Sequence, residues 1–465
     1  MKRIAVRFCV TLLALAGGAG LVAGGSAAAG AQNRPRADRH VVLLCIDGFG
    51  AYNVDDPRMS LPNIRALAAR GSRAEAMTVS TPSVTWPNHT TMVTGVTPAK
   101  HGVLANGRIE PATATPLAIN PRRSKEELCR ATTVYDIAHR AGLKTAEINW
   151  PVTRSAPTLH FSFPDHPEPL NYTTPSLVQD LLKLGWLTGS DNASFSQLGP
   201  VGRDQVWTQA AIHLLKKERP NLLMLHLLNT DGQQHAHGPQ TAEAATAISL
   251  ADRYVGDVLQ ALQQTRLAQR TSVFIVADHG FIRVTKQIKP NARLRSAGLI
   301  RSADGGKLQY DVQSISEGGV ALVYVPQART RPELVTKAKA ALDGLEGLET
   351  ILTPEQYGRY GLPTPDRNPE SPHLVLAAKD GYAFSNDPNG DEIVTLPRAV
   401  GTHGYLQTNP KVDGAFVAAG AGIRKGVRLP RVANLDVAPT IAHLLGLRME
   451  GVDGRVLDEI LTEKK

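Results

Sequence analysis

Cysteine is scarce in this 465-residue chain, with three in all. Two of them, Cys45 and Cys129, lie beyond the first 31 residues, so the rest of the chain forms one disulfide at most. Cys45 falls inside the apolar run VVLLCID and reads as a buried free thiol, the alternative being a single Cys45–Cys129 bridge. Long apolar runs are also missing. Beyond the N-terminal segment no stretch reaches the ~18 apolar residues of a membrane span. Clusters of Lys and Arg are absent too, and the formal charge of +9 is spread thinly. That balance suits attraction of anionic small molecules and gives no nucleic-acid stripe. Internal repeats are absent. Hydrophobic residues at 42% and charged residues at 20% are globular values, which excludes disorder as the default.

Residues 1–31 read as a signal peptide. Lys2, Arg3 and Arg7 supply the positive region, Val10 to Ala16 opens an apolar core, and Ala29-Gly30-Ala31 is a cleavage site before Gln32. A retained anchor is the alternative. Cleavage removes three cations and leaves a formal +6 of the original +9. The expected location is secreted or periplasmic. Residues 32–39 read as a linker and 40–465 as one catalytic domain, with an insertion or cap at about 285–400.

Apolar runs at Val41–Ile46, Leu222–Leu228 and Ser272–Ala277 read as buried parallel strands, and Val412–Ala418 as a further strand. Helical patterns occur at Pro62–Arg70, Thr132–Arg140, Asp204–Lys217, Thr241–Gln264 and Asp436–Leu445. This alternation predicts an α/β fold with a doubly wound, mostly parallel sheet flanked by helices.

Open α/β sheets bind ligands at the carboxyl ends of their strands. The polar residues expected there are Asp47, Asp231 with His235 four residues on, Asp278 and His279, and His403 in the loop GTHGY. An Asp after a strand is by itself more often a cap or turn residue. Three carboxylates converging on one rim would repel one another unless a divalent metal joined them. A donor set of Asp and His without Cys suits zinc, with manganese or iron as alternatives. In Thr85-Trp86-Pro87-Asn88-His89, Pro87 fits the first turn of a helix and puts Thr85 at its N-terminus, where an anion is favoured. A metal would activate the Thr85 hydroxyl as a nucleophile. Without the metal ligands Thr85 would read as a helix cap. Trp86 reads either as packing or as a surface for a substrate group. His89, His101 and His237 read as supporting rather than ligating residues.

The segments VVLLCIDGFG, TPSVTWPNHTTMVTGVTPAKHGV, TVYDIAHRAGLKTAEINWP, NTDGQQHAHGP, VFIVADHGF, GTHGY and NLDVAPTIAHLLGL resemble the nucleotide pyrophosphatase/phosphodiesterase family of the alkaline phosphatase superfamily. They span about residues 40 to 446. The resemblance implies two zinc ions. One would be held by Asp231, His235 and His403, the other by Asp47, Asp278, His279 and the Thr85 oxygen. It implies hydrolysis of phosphodiester or pyrophosphate bonds in small-molecule or nucleotide substrates through a phospho-threonine intermediate. Asn88 would donate its amide to a phosphoryl oxygen. Gln234 stands where the family often has Gly. Phosphonate or phosphomonoester hydrolysis and a non-catalytic binding role are the competing expectations. A sulfatase is disfavoured, because its Cys/Ser-x-Pro-x-Arg segment is replaced here.

Overall fold

Seven consecutive residues, His40–Ile46, are buried on both sides of the strand they form, which is the mark of a parallel strand covered on both faces. A computed structural model describes residues 34–463 except 112–114, 304 and 306, so the leader lies outside the described residues. The chain runs β1 (His40–Ile46), α1 (Pro62–Arg70), β2 (Ser72–Thr78), α2 (Thr85–Thr94), α3 (Val134–Arg140), β3 (Thr145–Ile148), β4 (Phe161–Phe163), α4 (Gly199–Lys217), β5 (Leu222–Leu227), α5 (Asn229–His237), α6 (Ala242–Gln264) and β6 (Thr271–Val276). It continues through β7 (Ile282–Ile288), β8 (Gln313–Ser316), β9 (Val320–Tyr324), α7 (Glu333–Leu342), β10 (Leu348–Leu352), β11 (Leu374–Ala378), β12 (Tyr382–Phe384) and β13 (Ile393–Thr402). It closes with β14 (Gly414–Gly420), β15 (Val427–Leu429), β16 (Val432–Ala433) and α8 (Val437–Leu444); the remaining elements are left unnumbered.

Among the described residues the main sheet has nine strands in the order β15-β2-β14-β6-β1-β5-β3-β4, with β16 also on β2. The five strands β6, β1, β5, β3 and β4 are mutually parallel, so their carboxyl ends share one edge. β14 runs antiparallel to β6 and to β2. Successive β1 side chains point to opposite faces. Val42, Leu44 and Ile46 pack with α4 and α6, whereas Val41, Leu43 and Cys45 pack with Met92 and Val93 of α2, Val134 and Ala138 of α3 and Ile441 of α8. Each such buried aliphatic side chain contributes about 1.5–3 kcal/mol. The result is the expected α/β fold, a mostly parallel sheet with helices on both faces. Residues Pro35–Lys465 form one compact unit. No helix among the described residues is long and apolar enough to cross a membrane. Cys45 and Cys129 are both buried and free.

Two local features depart from the sequence-based expectation. The strand expected from Val412 starts at Gly414, because Pro410–Val412 forms a 3₁₀ turn. β2, which no apolar run marks in the sequence, carries Arg73 and Glu75 between its buried Ser72, Ala74 and Met77, as a strand near a sheet edge does. Gly71, which ends α1, has no room for a side chain, since a Cβ there would lie 2.2 Å from the Ala418 carbonyl oxygen.

The stretch from β7 to β13 builds three smaller sheets among the described residues, one of them the two-stranded pair Ile300–Ser302 and Leu308–Tyr310. β8, β9, β11 and β10 form a four-stranded antiparallel sheet, and β7 pairs with β12 and β13. Leu334, Ala338 and Leu342 of α7 pack with Val323, Leu374 and Leu376. β13 runs antiparallel to β7 and ends at Thr402, which delivers His403 to the edge of the main sheet.

Candidate active site

Each candidate ligand stands in or just after an element that borders the carboxyl edge of the parallel strands. Asp47 follows β1, and Asp278 and His279 follow β6. Asp231 and His235 lie one turn apart on α5, whose N-terminus is capped by Asp204. That carboxylate accepts from the Leu228 and Asn229 amides at 2.9 and 3.1 Å. Gly48 turns the chain after Asp47 at φ +68°, and a Cβ there would meet the Phe281 ring at 2.4 Å. Its amide donates to Asp278 Oδ1 at 3.1 Å, and its carbonyl accepts from Gln234 Nε2 at 2.9 Å. The departure at Gln234 thus ties α5 to the β1 turn.

The structure brings the six together with Thr85. Asp231, His235 and His403 offer ligand atoms within 4.8 Å of one another, and so do Asp47, Asp231 and His279. His279 Nε2 lies 3.3 Å from Asp47 Oδ1, 3.3 Å from Asp278 Oδ2 and 3.5 Å from Thr85 Oγ1. The His279 and His403 rings stack at 3.7 Å. Thr85 is the first residue of α2, preceded by extended Val84. Asp231 faces both groups instead of one.

The donor chemistry suits cations. Asp47 Oδ1, Asp231 Oδ1 and Asp278 Oδ2 are buried and have no hydrogen-bond partner. The Nδ1 atoms of His235, His279 and His403 face the carbonyls of Gly401, Gly280 and Ser83 at 3.1, 3.2 and 2.9 Å. A carbonyl requires a donor, so each ring carries its proton on Nδ1 and turns the Nε2 lone pair inward.

Burial, then the charge of Asp278, pushes the Asp47 carboxyl well above the carboxylate range. Burial also lifts Asp278, to about 6. Burial lowers His279 to about 3 and holds His403 well below its ordinary value, neighbouring imidazoles adding to the second effect. Burial opposes the Asp231 charge too, yet His235 and His403 hold this carboxyl below its usual range. Desolvated carboxylates that resist ionisation beside one another are stabilised by a multivalent cation.

Asn88 does not take the place expected of it. It is fully buried. Its Nδ2 donates to the Pro82 and Val84 carbonyls at 3.0 and 2.8 Å, and its Oδ1 accepts from Ser80 N and Asn434 Nδ2 at 2.6 and 2.8 Å. Both amide hydrogens are spent on the backbone, so none is left for a phosphoryl oxygen. Asn106 is the amide beside the nucleophile: its Oδ1 accepts from Trp86 N at 2.9 Å, and its Nδ2 makes no hydrogen bond among the described residues. In the sequence Asn106-Gly107 reads as a turn, which hides it.

His226 was also hidden, as one histidine in an apolar strand. Its Nε2 meets Asp47 Oδ2 at 3.0 Å and its Nδ1 the Asn149 carbonyl at 3.0 Å. His89 lies beneath the site with Nδ1 on the Thr85 carbonyl at 2.9 Å, and with His226 and Asp278 it forms a third group of candidate ligands. His101 bonds to Thr91 Oγ1 at 3.0 Å, and His237 lies 3.9 Å from Glu243.

Fold and site define an α/β protein built around a candidate metal centre with a hydroxyl at a helix N-terminus. The chain belongs to the type I phosphodiesterase / nucleotide pyrophosphatase family, whose model matches residues 41–406. It is 24% identical over 413 residues to human ectonucleotide pyrophosphatase/phosphodiesterase family member 1, covering 87% of this chain and 40% of that one. It is 24% identical over 424 residues to a venom phosphodiesterase of Macrovipera lebetinus, covering 88% and 43%. The chain therefore spans less than half the length of these two relatives. In fold it is similar to human ectonucleotide pyrophosphatase/phosphodiesterase 5, with TM-score 0.68 at 19% identity over 91% of this chain and all of that one. It is likewise similar to an inactive variant of the murine protein solved in complex with AMP, with TM-score 0.67 at 19% identity, 91% and 100% coverage.

Proposed function

We propose that the chain hydrolyses phosphodiester or pyrophosphate bonds of small-molecule or nucleotide substrates, with two zinc ions as cofactors and Thr85 as the covalent nucleophile. The observation that carries this reading is the set of three buried, unpartnered carboxylate oxygens facing imidazole lone pairs beside Thr85 Oγ1. Asp231, His235 and His403 would hold one ion. Asp47, Asp278, His279 and the Thr85 oxygen would hold the other. When bound, such ions act as Lewis acids, lowering the pKa of a coordinated hydroxyl and offsetting charge on phosphoryl oxygens.

The protein's own groups do the rest. Thr85 Oγ1 attacks phosphorus in line. The Oγ1–P bond forms as the bond to the leaving oxygen breaks, and water then displaces Oγ1 and restores the hydroxyl. Asn106 Nδ2, held by the Trp86 amide, donates to a non-bridging phosphoryl oxygen. The N-terminus of α2 favours the same negative charge. A neutral amide donor matches the single charge of a diester better than a monoester dianion. Family membership and the similarity to proteins named phosphodiesterases support the reaction class. The leader pattern of residues 1–31 supports export after cleavage near Ala31.

Metal analysis of the purified protein with turnover of bis(p-nitrophenyl) phosphate and p-nitrophenyl phosphate tests this reading. It expects close to two zinc ions per chain, loss of turnover on chelation and a higher kcat/KM for the diester. Full activity of metal-free protein, or preference for the monoester, would overturn it.

A further inference from the structure

β3 and β4 are parallel to the strands that carry the metal-type ligands, so the loops after them stand at the same edge of the sheet. These loops wall the site on the side of Trp86. Trp86 follows Thr85 in the chain, donates its indole N–H to Asp165 Oδ2 at 3.0 Å and packs in a cluster with Val152. Two residues beyond Val152, and one beyond Asp165, lies a group that the proposed reaction does not use. The Arg154 guanidinium covers the Tyr172 ring at 4.4 Å, and His166 meets the same ring edge-to-face at 4.7 Å.

This group is short of acceptors. His166 is 6% exposed, and its Nδ1 accepts from the Glu168 amide at 3.0 Å. Its proton therefore sits on Nε2, which is buried with no partner. Burial and the nearby Arg154 charge keep the ring below its ordinary pKa, and so a neutral donor. Arg154 Nε is also buried with no partner. The adjacent acid, Glu168, is already paired with Arg122 at 2.6 Å. The Tyr172 face is a weak acceptor beside what an anion would offer.

The loop that presents Arg154 is held in strain. Asn149, Val152 and Ser155 adopt φ of 58°, 59° and 56°, and for β-branched Val152 this is a genuine outlier. Bonds from Asn149 N to Phe163 O at 2.6 Å, Trp150 N to Glu147 Oε2 at 3.0 Å and Thr153 Oγ1 to Trp150 O at 2.6 Å enforce the conformation. Strain of this kind persists where the surroundings over-determine it and clusters at ligand clamps.

We propose that Arg154 and His166 form an oxyanion subsite that binds a second anionic group, a phosphate or a carboxylate, on the arm of the substrate lying against Trp86. The inference rests on the hydrolase reading and narrows its substrates to diesters with an acidic arm. The guanidinium supplies charge and a planar fork, and the His166 Nε2–H a second donor.

Three p-nitrophenyl phosphodiesters test it, their second arm being phenyl, carboxylated phenyl or phosphorylated phenyl. The parent enzyme is expected to prefer at least one acidic arm over phenyl by about tenfold or more in kcat/KM. Which acidic arm gains tells phosphate from carboxylate. In Arg154→Gln that ratio collapses toward unity, Arg154→Lys keeps part of it, and His166→Phe, which keeps a ring against Tyr172, lowers it. The readout is a ratio within one variant, so incomplete folding cancels. Equal turnover of all three esters by the parent overturns the subsite alone, as does an unchanged ratio in Arg154→Gln. A parent that cleaves none of them overturns the hydrolase reading and the subsite with it.

Discussion

Two asparagines near Thr85 have opposite fates in the structure, and exchanging each for alanine separates them. Asn88→Ala removes the one partner that Ser80 N has among the described residues, a bond of 2.6 Å. Asn434 Nδ2 keeps a long bond of 3.4 Å to Ser80 Oγ, the Pro82 carbonyl keeps the Val84 amide at 2.8 Å, and the Val84 carbonyl keeps the residue 88 amide at 3.2 Å. One fully orphaned donor and three lost bonds cost about 2–4 kcal/mol. In a folded unit of this size that is a fall in Tm of roughly 2–5 °C. Asn106→Ala removes an amide donor that the fold does not spend, which lowers the rate by about 10²–10³ in kcat, and with it the single acceptor that the Trp86 amide has among the described residues, a smaller fold cost than that of Asn88→Ala. The assay is bis(p-nitrophenyl) phosphate hydrolysis by metal-loaded enzyme, beside thermal unfolding of the same samples. A loss of 10² or more in kcat for Asn88→Ala at unchanged Tm, with Asn106→Ala close to the parent, would refute the assignment; these thresholds are set by the size of one donor's effect, about 10².

Thr85→Ala should keep the fold and most of its metal and lose diester turnover by several orders of magnitude, with Thr85→Ser recovering part; parent-like turnover in the alanine variant would leave Thr85 as a cap. His403→Ala should lower metal content as well as rate, and unchanged stoichiometry by elemental analysis would remove His403 from the ligand set. Metal affinity should fall steeply as pH drops below about 6, because Asp278 is lifted to about 6 by burial and must lose its proton to bind a cation. In the metal-free protein the sign reverses. A carboxyl raised from its unfolded value of about 3.9 stabilises the fold below that value, and the contribution is lost as pH rises through about 6. Calorimetric titration with zinc and melting of the apoprotein between pH 4 and 8 check both limbs. Flat profiles would show that the carboxyls are not desolvated.

The sequence determined by itself what local pattern can carry. The runs VVLLCI, LLMLHL and TSVFIV are mostly apolar because both faces of a parallel strand are covered. The acidic and imidazole residues that follow them closely mark the strand ends, which is why Asp47, Asp231, Asp278 and His279 are legible as one rim. Pro87 marked the first turn of α2 and so the position of Thr85. Tertiary structure alone decided which neighbouring groups are free to act. Asn88 is one turn from Thr85, yet Asn434, 346 positions away in the chain, consumes its carbonyl, and no local pattern reports a contact of that span. Asn106 acquires its place through the Trp86 amide, 20 positions away. His226 gains a role only because β5 lies beside β1, which sets its ring against Asp47. The Arg154–His166 group likewise joins two loops that meet because β3 and β4 are neighbours. Periodicity records how a segment meets the core. Hydrogen-bond saturation and the convergence of side chains from separate loops are properties of the packed molecule.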